Sequence, residues 1–145
     1  MAAELSPVPF GEYIMSATLT IRDETLSGEP IYEWELEVAA EKITVRELIR
    51  SRVYQEVQDY NVKHSQVYHG LVQPEDAEKT LNGWKLNKTR LLDWKRQFER
   101  ALEGFETNRI LILVNDRQAE SLDEELTIET GTNVTFLRLM PLVGG

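Results

Sequence analysis

Thr44-Val45-Arg46-Glu47-Leu48-Ile49 decides how this chain of 145 residues is organised, because it starts a helix at a definable position. The Thr44 hydroxyl can accept from the backbone N–H of Glu47 while the Glu47 carboxylate reaches back to the N–H of Thr44, the reciprocal pairing of a capping box. From there Val45, Leu48, Ile49, Val53, Val57 and Tyr60 recur at steps of three and four, which predicts one apolar helical stripe. Arg46, Arg50, Gln55, Glu56 and Asp59 lie off that stripe and are assigned to solvent. On the N-terminal side, Ala17 to Arg22 alternates with period two in a Thr-rich stretch, so a half-buried strand is expected between Tyr13 and Asp23. Ile31 to Ala39 alternates again, with Trp34, Leu36 and Val38 on one face and Glu33, Glu35 and Glu37 on the other. Turn residues from Glu24 to Pro30 join the two into a hairpin. The opening residues, with Pro7, Pro9 and Gly11, have no period and read as a loose arm over residues 1–12.

On the C-terminal side of the capped helix the character changes at Asn61. Gly70, Pro74 and Asn82-Gly83 break the chain before a second helical pattern from about Thr89 to Glu106, with Leu91, Trp94, Phe98, Ala101, Leu102 and Phe105 on one face. Trp84 and Trp94 are expected to pack under that helix. Ile110-Leu111-Ile112-Leu113-Val114 is a short, β-branched apolar run that fits a strand buried on both faces. After the turn Asn115-Asp116-Arg117 come a short segment from Leu122 to Ile128, a turn containing Gly131, and a last strand from Val134 to Leu139. In that strand Val134 and Phe136 share a face and Phe136 is expected in the core, with Leu137 and Leu139 facing outward. The order predicts an α+β architecture: a mixed sheet, one crossover helix, and a helical segment inserted at about 61–107 between that helix and the third strand. The insert is expected to be an add-on that a short linker could replace, since loop closure grows only logarithmically with length.

Composition narrows the chemistry. Asp+Glu 25 against Lys+Arg 16 gives a net charge of -9, which opposes a broad phosphate-binding surface, so no nucleic acid is expected. Zero cysteines exclude a disulfide framework and a cysteine nucleophile, and the absence of an apolar run of about 18 residues argues against a membrane helix. Nothing at the start resembles a signal peptide, so cytoplasm is the expected compartment. His64 and His69 stand alone, without a third histidine or a cysteine, and no metal site is expected. Asp123-Glu124-Glu125 and Glu129 read as a solvated acidic face. Phosphate-loop, dinucleotide and hydrolase motifs are absent, so no enzyme activity is expected.

Val114-Asn115-Asp116, Leu122, Leu126, Gly131, Val134-Thr135-Phe136 and the closing Gly144-Gly145 resemble the second half of the β-grasp sulfur carriers, the small subunit of molybdopterin synthase and the thiamine-pathway carrier. Thr44 to Ile49 likewise resembles the start of their single helix, and ubiquitin and its bacterial relatives share the element order and the Gly-Gly ending. The resemblance covers the residues outside the arm and the insert, which compact carriers lack. It implies a β-grasp (ubiquitin-like) domain over 13–143 carrying the insert, with a tail at 144–145. It further implies that the Gly145 carboxylate is the reacting group, adenylated at the expense of ATP by an activating enzyme. Two outcomes follow from the family: a protein modifier handed on as a thioester, with a conjugating enzyme, an isopeptidase and a target protein as partners, or a sulfur carrier bearing a C-terminal thiocarboxylate. The size of the insert favours the modifier. No bound cofactor is expected. Leu137, Leu139, Met140, Pro141 and Leu142 are expected to form the apolar strip gripped by the activating enzyme, projecting beside the tail. Arg138 falls on the core side of the alternation, and a guanidinium without a partner is not tolerated there, so the strand is expected to leave the sheet, twist or reach an edge by that point.

Overall fold

The computed structural model describes residues 17–26, 30–80 and 83–145, with backbone alone at 30 and 31. The expected arm, the strand start at Tyr13 and the hairpin turn at Ser27-Gly28-Glu29 lie outside the described residues. Strands β1 (Ala17–Glu24) and β2 (Pro30–Val38) pair antiparallel from Ala17↔Val38 onward, with a register shift between Asp23 and Glu24. Leu19, Ile21, Leu36 and Val38 point into the core, and Glu33, Glu35 and Glu37 are exposed, as period-two alternation requires. After β3 (Lys42–Thr44), Thr44 caps α1 (Val45–Lys63), its Oγ1 accepting from Glu47 N at 3.1 Å while Thr44 N donates to Glu47 Oε1 at 2.8 Å. The helix ends where His64 takes a left-handed conformation (φ 51) and its N–H donates to Tyr60 O at 2.7 Å.

The segment that follows carries β4 (Ala77–Lys79), β5 (Trp84–Leu86) and α2 (Trp94–Glu106). The expected helix start at Thr89 is corrected to Trp94, because the Asp93 side chain accepts from the N–H groups of Lys95 and Arg96 and so sets the first turn. The buried face shifts with it to Gln97, Ala101, Gly104 and Phe105, while Leu91 is exposed and Leu92 is buried. Strands β6 (Ile110–Val114), β7 (Arg117–Gln118), β8 (Glu125–Thr127) and β9 (Asn133–Arg138) complete the chain. The main sheet has the order β2-β1-β9-β6-β7, with β9 parallel to β1 and all other neighbours antiparallel; β3 pairs with β8, and β4 with β5. In β6 only Ile110, Ile112 and Val114 are buried; Leu111 and Leu113 are half-buried, so the expectation of two buried faces is corrected to one.

Among the described residues the α+β layering thus combines a mixed five-stranded sheet and two two-stranded sheets with two helices. The stripe of α1 (Val45, Leu48, Ile49, Val53, Val57, Tyr60) packs with Ile110, Ile112, Val134 and Phe136 in one core. Tyr68, Leu71, Val72, Trp84, Leu92, Ala101 and Phe105 belong to that same core, which corrects the idea of an insert sitting beside the fold. The Asn61 amide ties it further, donating to Leu92 O at 3.1 Å and accepting from Leu92 N at 2.9 Å. Among the described residues, no helix is long and apolar enough to cross a membrane.

Candidate functional site at the Gly144-Gly145 tail

Strand β9 runs through the middle of the sheet, paired from Asn133↔Thr20 to Leu137↔Glu24 on one side and from Val134↔Val114 to Arg138↔Ile110 on the other. Its alternation continues inward through Arg138, where the strand ends as expected; the guanidinium nevertheless stays on the core side because it has partners there. Arg138 Nη2 donates to Asp23 Oδ2 at 2.8 Å and to Gly70 O at 3.1 Å. Asp23, a β1 residue on the same inner face, is the partner that makes the guanidinium tolerable.

That ion pair is one edge of a buried charge cluster. Arg52, fully buried on α1, is bidentate to Asp23 (Nη1–Oδ1 and Nη2–Oδ2, both 2.7 Å) and donates from Nε to Glu56 Oε2 at 3.0 Å. Its guanidinium lies between the rings of Trp34 and Phe136, 4.6 and 4.5 Å from their centroids. Burial pulls against the charge on Arg52, but the carboxylates of Asp23 and Glu56 outweigh it and hold the guanidinium more firmly protonated than usual. Burial pushes the Glu56 carboxyl up to about 7, against the downward pull of Arg52. The assignment of Glu56 to the solvent face is corrected accordingly: Oε2 faces Arg52, and Oε1 accepts from Leu71 N at 3.3 Å. Burial likewise raises the Tyr68 hydroxyl, which donates to Gln97 Oε1 at 2.8 Å. Arg52 lies at the centre of the stripe Leu48, Ile49, Val53, and that charge among apolar positions is its one signal in the sequence.

Beyond β9 the chain turns at once, the N–H groups of Leu139 and Met140 both donating to Arg109 O at 2.9 and 3.1 Å. Of the five residues expected to meet a partner, Leu139, Met140, Pro141 and Leu142 line a cleft of about 190 Å³ with Leu71, Trp84 and Ile110. Leu137 is half-buried and points to the opposite face of the sheet, away from that cleft. Met140 is 55% exposed and Pro141 is exposed. Leu142 does not project beside the tail; it is 5% exposed, seated where Gly104 of α2 has no side chain. The reason is geometric: a Cβ on Gly104 would stand 2.6 Å from Leu142 Cδ2.

Gly144 and Gly145 are buried as well. Gln73 N donates to Leu142 O at 2.7 Å and Gly144 N donates to Gln73 O at 2.9 Å, a parallel bridge that adds the tail to the segment between α1 and β4. The Gln97 amide, itself 0% exposed, donates to Gly144 O at 3.4 Å and to Val72 O at 3.2 Å. Arg90 Nη1 donates to the Gly145 oxygen at 2.9 Å, and its Nη2 to Glu75 O at 2.7 Å. A side chain would meet an obstacle at both positions, at Gly144 the Arg100 side chain and at Gly145 also the backbone. A Cβ on Gly144 would lie 2.6 Å from Arg100 Cγ; one on Gly145, where φ is +68°, would lie 2.6 Å from Gln97 Cγ and 2.8 Å from Asp93 O. His64 caps α1, and His69 is stacked on Tyr32 at 4.7 Å.

Compared with protein-family models, with curated proteins and with solved structures, the chain matches none.

Proposed function

We propose that this chain is a ubiquitin-like modifier of β-grasp architecture, cytoplasmic and not itself an enzyme, whose Gly145 carboxylate is activated by a partner. The observation that carries this reading is the course of β9: a central strand, parallel to the first, leads within seven residues from Arg138 to a glycine pair at positions where any side chain would collide. The sheet order β2-β1-β9-β6-β7 around a capped helix α1 supports a β-grasp domain into which residues beyond His64 are inserted.

The reaction proceeds on this chain but with the partner's groups. A Gly145 carboxylate oxygen, present from synthesis or exposed by a peptidase, attacks the α-phosphorus of ATP; pyrophosphate leaves and an acyl-adenylate remains. A cysteine thiolate of the activating enzyme attacks the carbonyl carbon, AMP leaves, and the thioester passes to a conjugating enzyme. An amine of the target then displaces the thiolate, and an isopeptidase reverses that bond. Leu139, Met140 and Pro141, beside the tail, supply the exposed apolar part of the surface that the activating enzyme grips.

The test is ATP-dependent pyrophosphate release on incubation with candidate adenylating enzymes. Release that requires Gly144-Gly145 supports the reading, and release that persists after their deletion refutes it. Mass spectrometry of the protein from its native host separates the modifier, seen as a conjugate, from a sulfur carrier, seen as a chain in which one oxygen is replaced by sulfur.

A further inference from the structure

We propose that the inserted segment is a binding site for a diglycine-ended peptide, occupied by the chain's own Leu142-Val143-Gly144-Gly145, and that it keeps the tail from an activating enzyme until a partner displaces it. The proposal rests on the modifier reading for its consequence, but the site stands on its own geometry.

Four parts of the tail, its backbone, the Leu142 side chain and the two terminal glycine oxygens, are each met by a different group of the segment. Backbone recognition comes from Gln73, whose N–H and C=O both bond the tail in the manner of an added strand. The Leu142 side chain is received in the gap over Gly104. The Gly144 oxygen meets the amide of Gln97, which is held in place by Tyr68 Oη and Val72 O and therefore arrives without having to be ordered. The Gly145 oxygen meets Arg90, a cation suited to a terminal carboxylate. Glycine is selected most firmly at the last position, where φ is +68° and a Cβ would stand 2.8 Å from Asp93 O; at Gly144 a Cβ would have to displace the Arg100 side chain. An enzyme that adenylates Gly145 must surround it with its own nucleotide site, and here that space holds Arg90, Asp93 and Gln97 instead. The tail must therefore leave before it can react.

Accessibility of the tail tests this without any activating enzyme. The intact protein and the free peptide Leu139 to Gly145 are treated with a carboxypeptidase, and glycine release is followed by mass spectrometry. Cleavage of a transiently opened segment tracks its open population, so release from the protein should be at least about tenfold slower than from the peptide. Arg90→Ala should restore roughly tenfold of that rate. Gly104→Ala should do the same by pushing Leu142 out, since alanine is the better helix former and leaves α2 intact. Circular dichroism checks that both variants remain folded. Hydrogen exchange at the Gly144 N–H in the unmodified protein gives a second reading that needs no variant. Digestion and exchange as fast as in the free peptide would overturn the site, even if the protein is adenylated. A protected tail in a protein that no adenylating enzyme accepts, with Arg90→Ala equally inert, keeps the site and removes the modifier reading.

Discussion

At Arg52 a charge stands within the apolar stripe of α1, between Ile49 and Val53, and what makes it stable is only partly local. Its two carboxylate partners come from β1 and from the next turn of α1, and its two ring faces from β2 and β9. Such a cluster is sensitive to which member carries the proton. Glu56 has its usual value of 4.5 when unfolded and about 7 when folded, so between those values the folded state binds more proton than the unfolded one. The stabilisation from a neutral Glu56 is therefore fully present below about pH 4.5 and is lost as pH rises through about 7. Each unit of separation is worth about 1.4 kcal/mol. Glu56→Gln keeps the oxygen facing Arg52 but cannot titrate. Urea denaturation of both proteins across this range should give a wild-type curve that falls relative to the variant as pH increases; parallel curves would show that Glu56 does not titrate there.

The elements differ in how far they depend on one another. Phe136, 0% exposed in β9, anchors both the sheet interior and one face of the Arg52 guanidinium. Phe136→Ala should lower stability by about 3–5 kcal/mol, measured by chemical denaturation. A loss below about 1 kcal/mol would mean that the site collapses around the smaller residue. The segment expected as an insert looked replaceable from its boundaries, yet Tyr68, Leu71, Trp84 and Phe105 belong to the same core as the residues of α1 and β6. Replacing residues 65–106 with a Gly/Ser linker would leave Val57, Tyr60 and Ile110 uncovered, each worth about 1.5–3 kcal/mol of burial. Against a total stability of about 5–15 kcal/mol, the shortened protein should lose its cooperative thermal transition. A sharp transition near that of the full chain would restore the picture of a dispensable add-on.

For the whole molecule, the tail's path divides the expected partner strip into two kinds of residue. Leu139 lines an open cleft, whereas Leu142 is buried on α2. Leu139→Asp should weaken activation, read as pyrophosphate release, while moving the melting temperature little. Leu142→Asp should free the tail to a carboxypeptidase. Equal effects of the two on tail release would mean that Leu142 has no special seat. The hairpin alternation, the capping box at Thr44, the stripe of α1 and the inward setting of Phe136 were all legible in the residue order, because each follows from spacing along one element and from hydrogen bonds that close within it. The end of the tail was legible only as a glycine pair. Where it lies, and that Arg138, Arg52 and Glu56 could be buried, depended on partners far apart in sequence: Asp23 for the guanidinium groups, and Gln73, Arg90, Gln97 and Gly104 for the tail. Periodicity reports which face of an element avoids water. Pairing between distant polar groups, and a gap shaped by an absent side chain, arise only when the sheet and both helices are packed together.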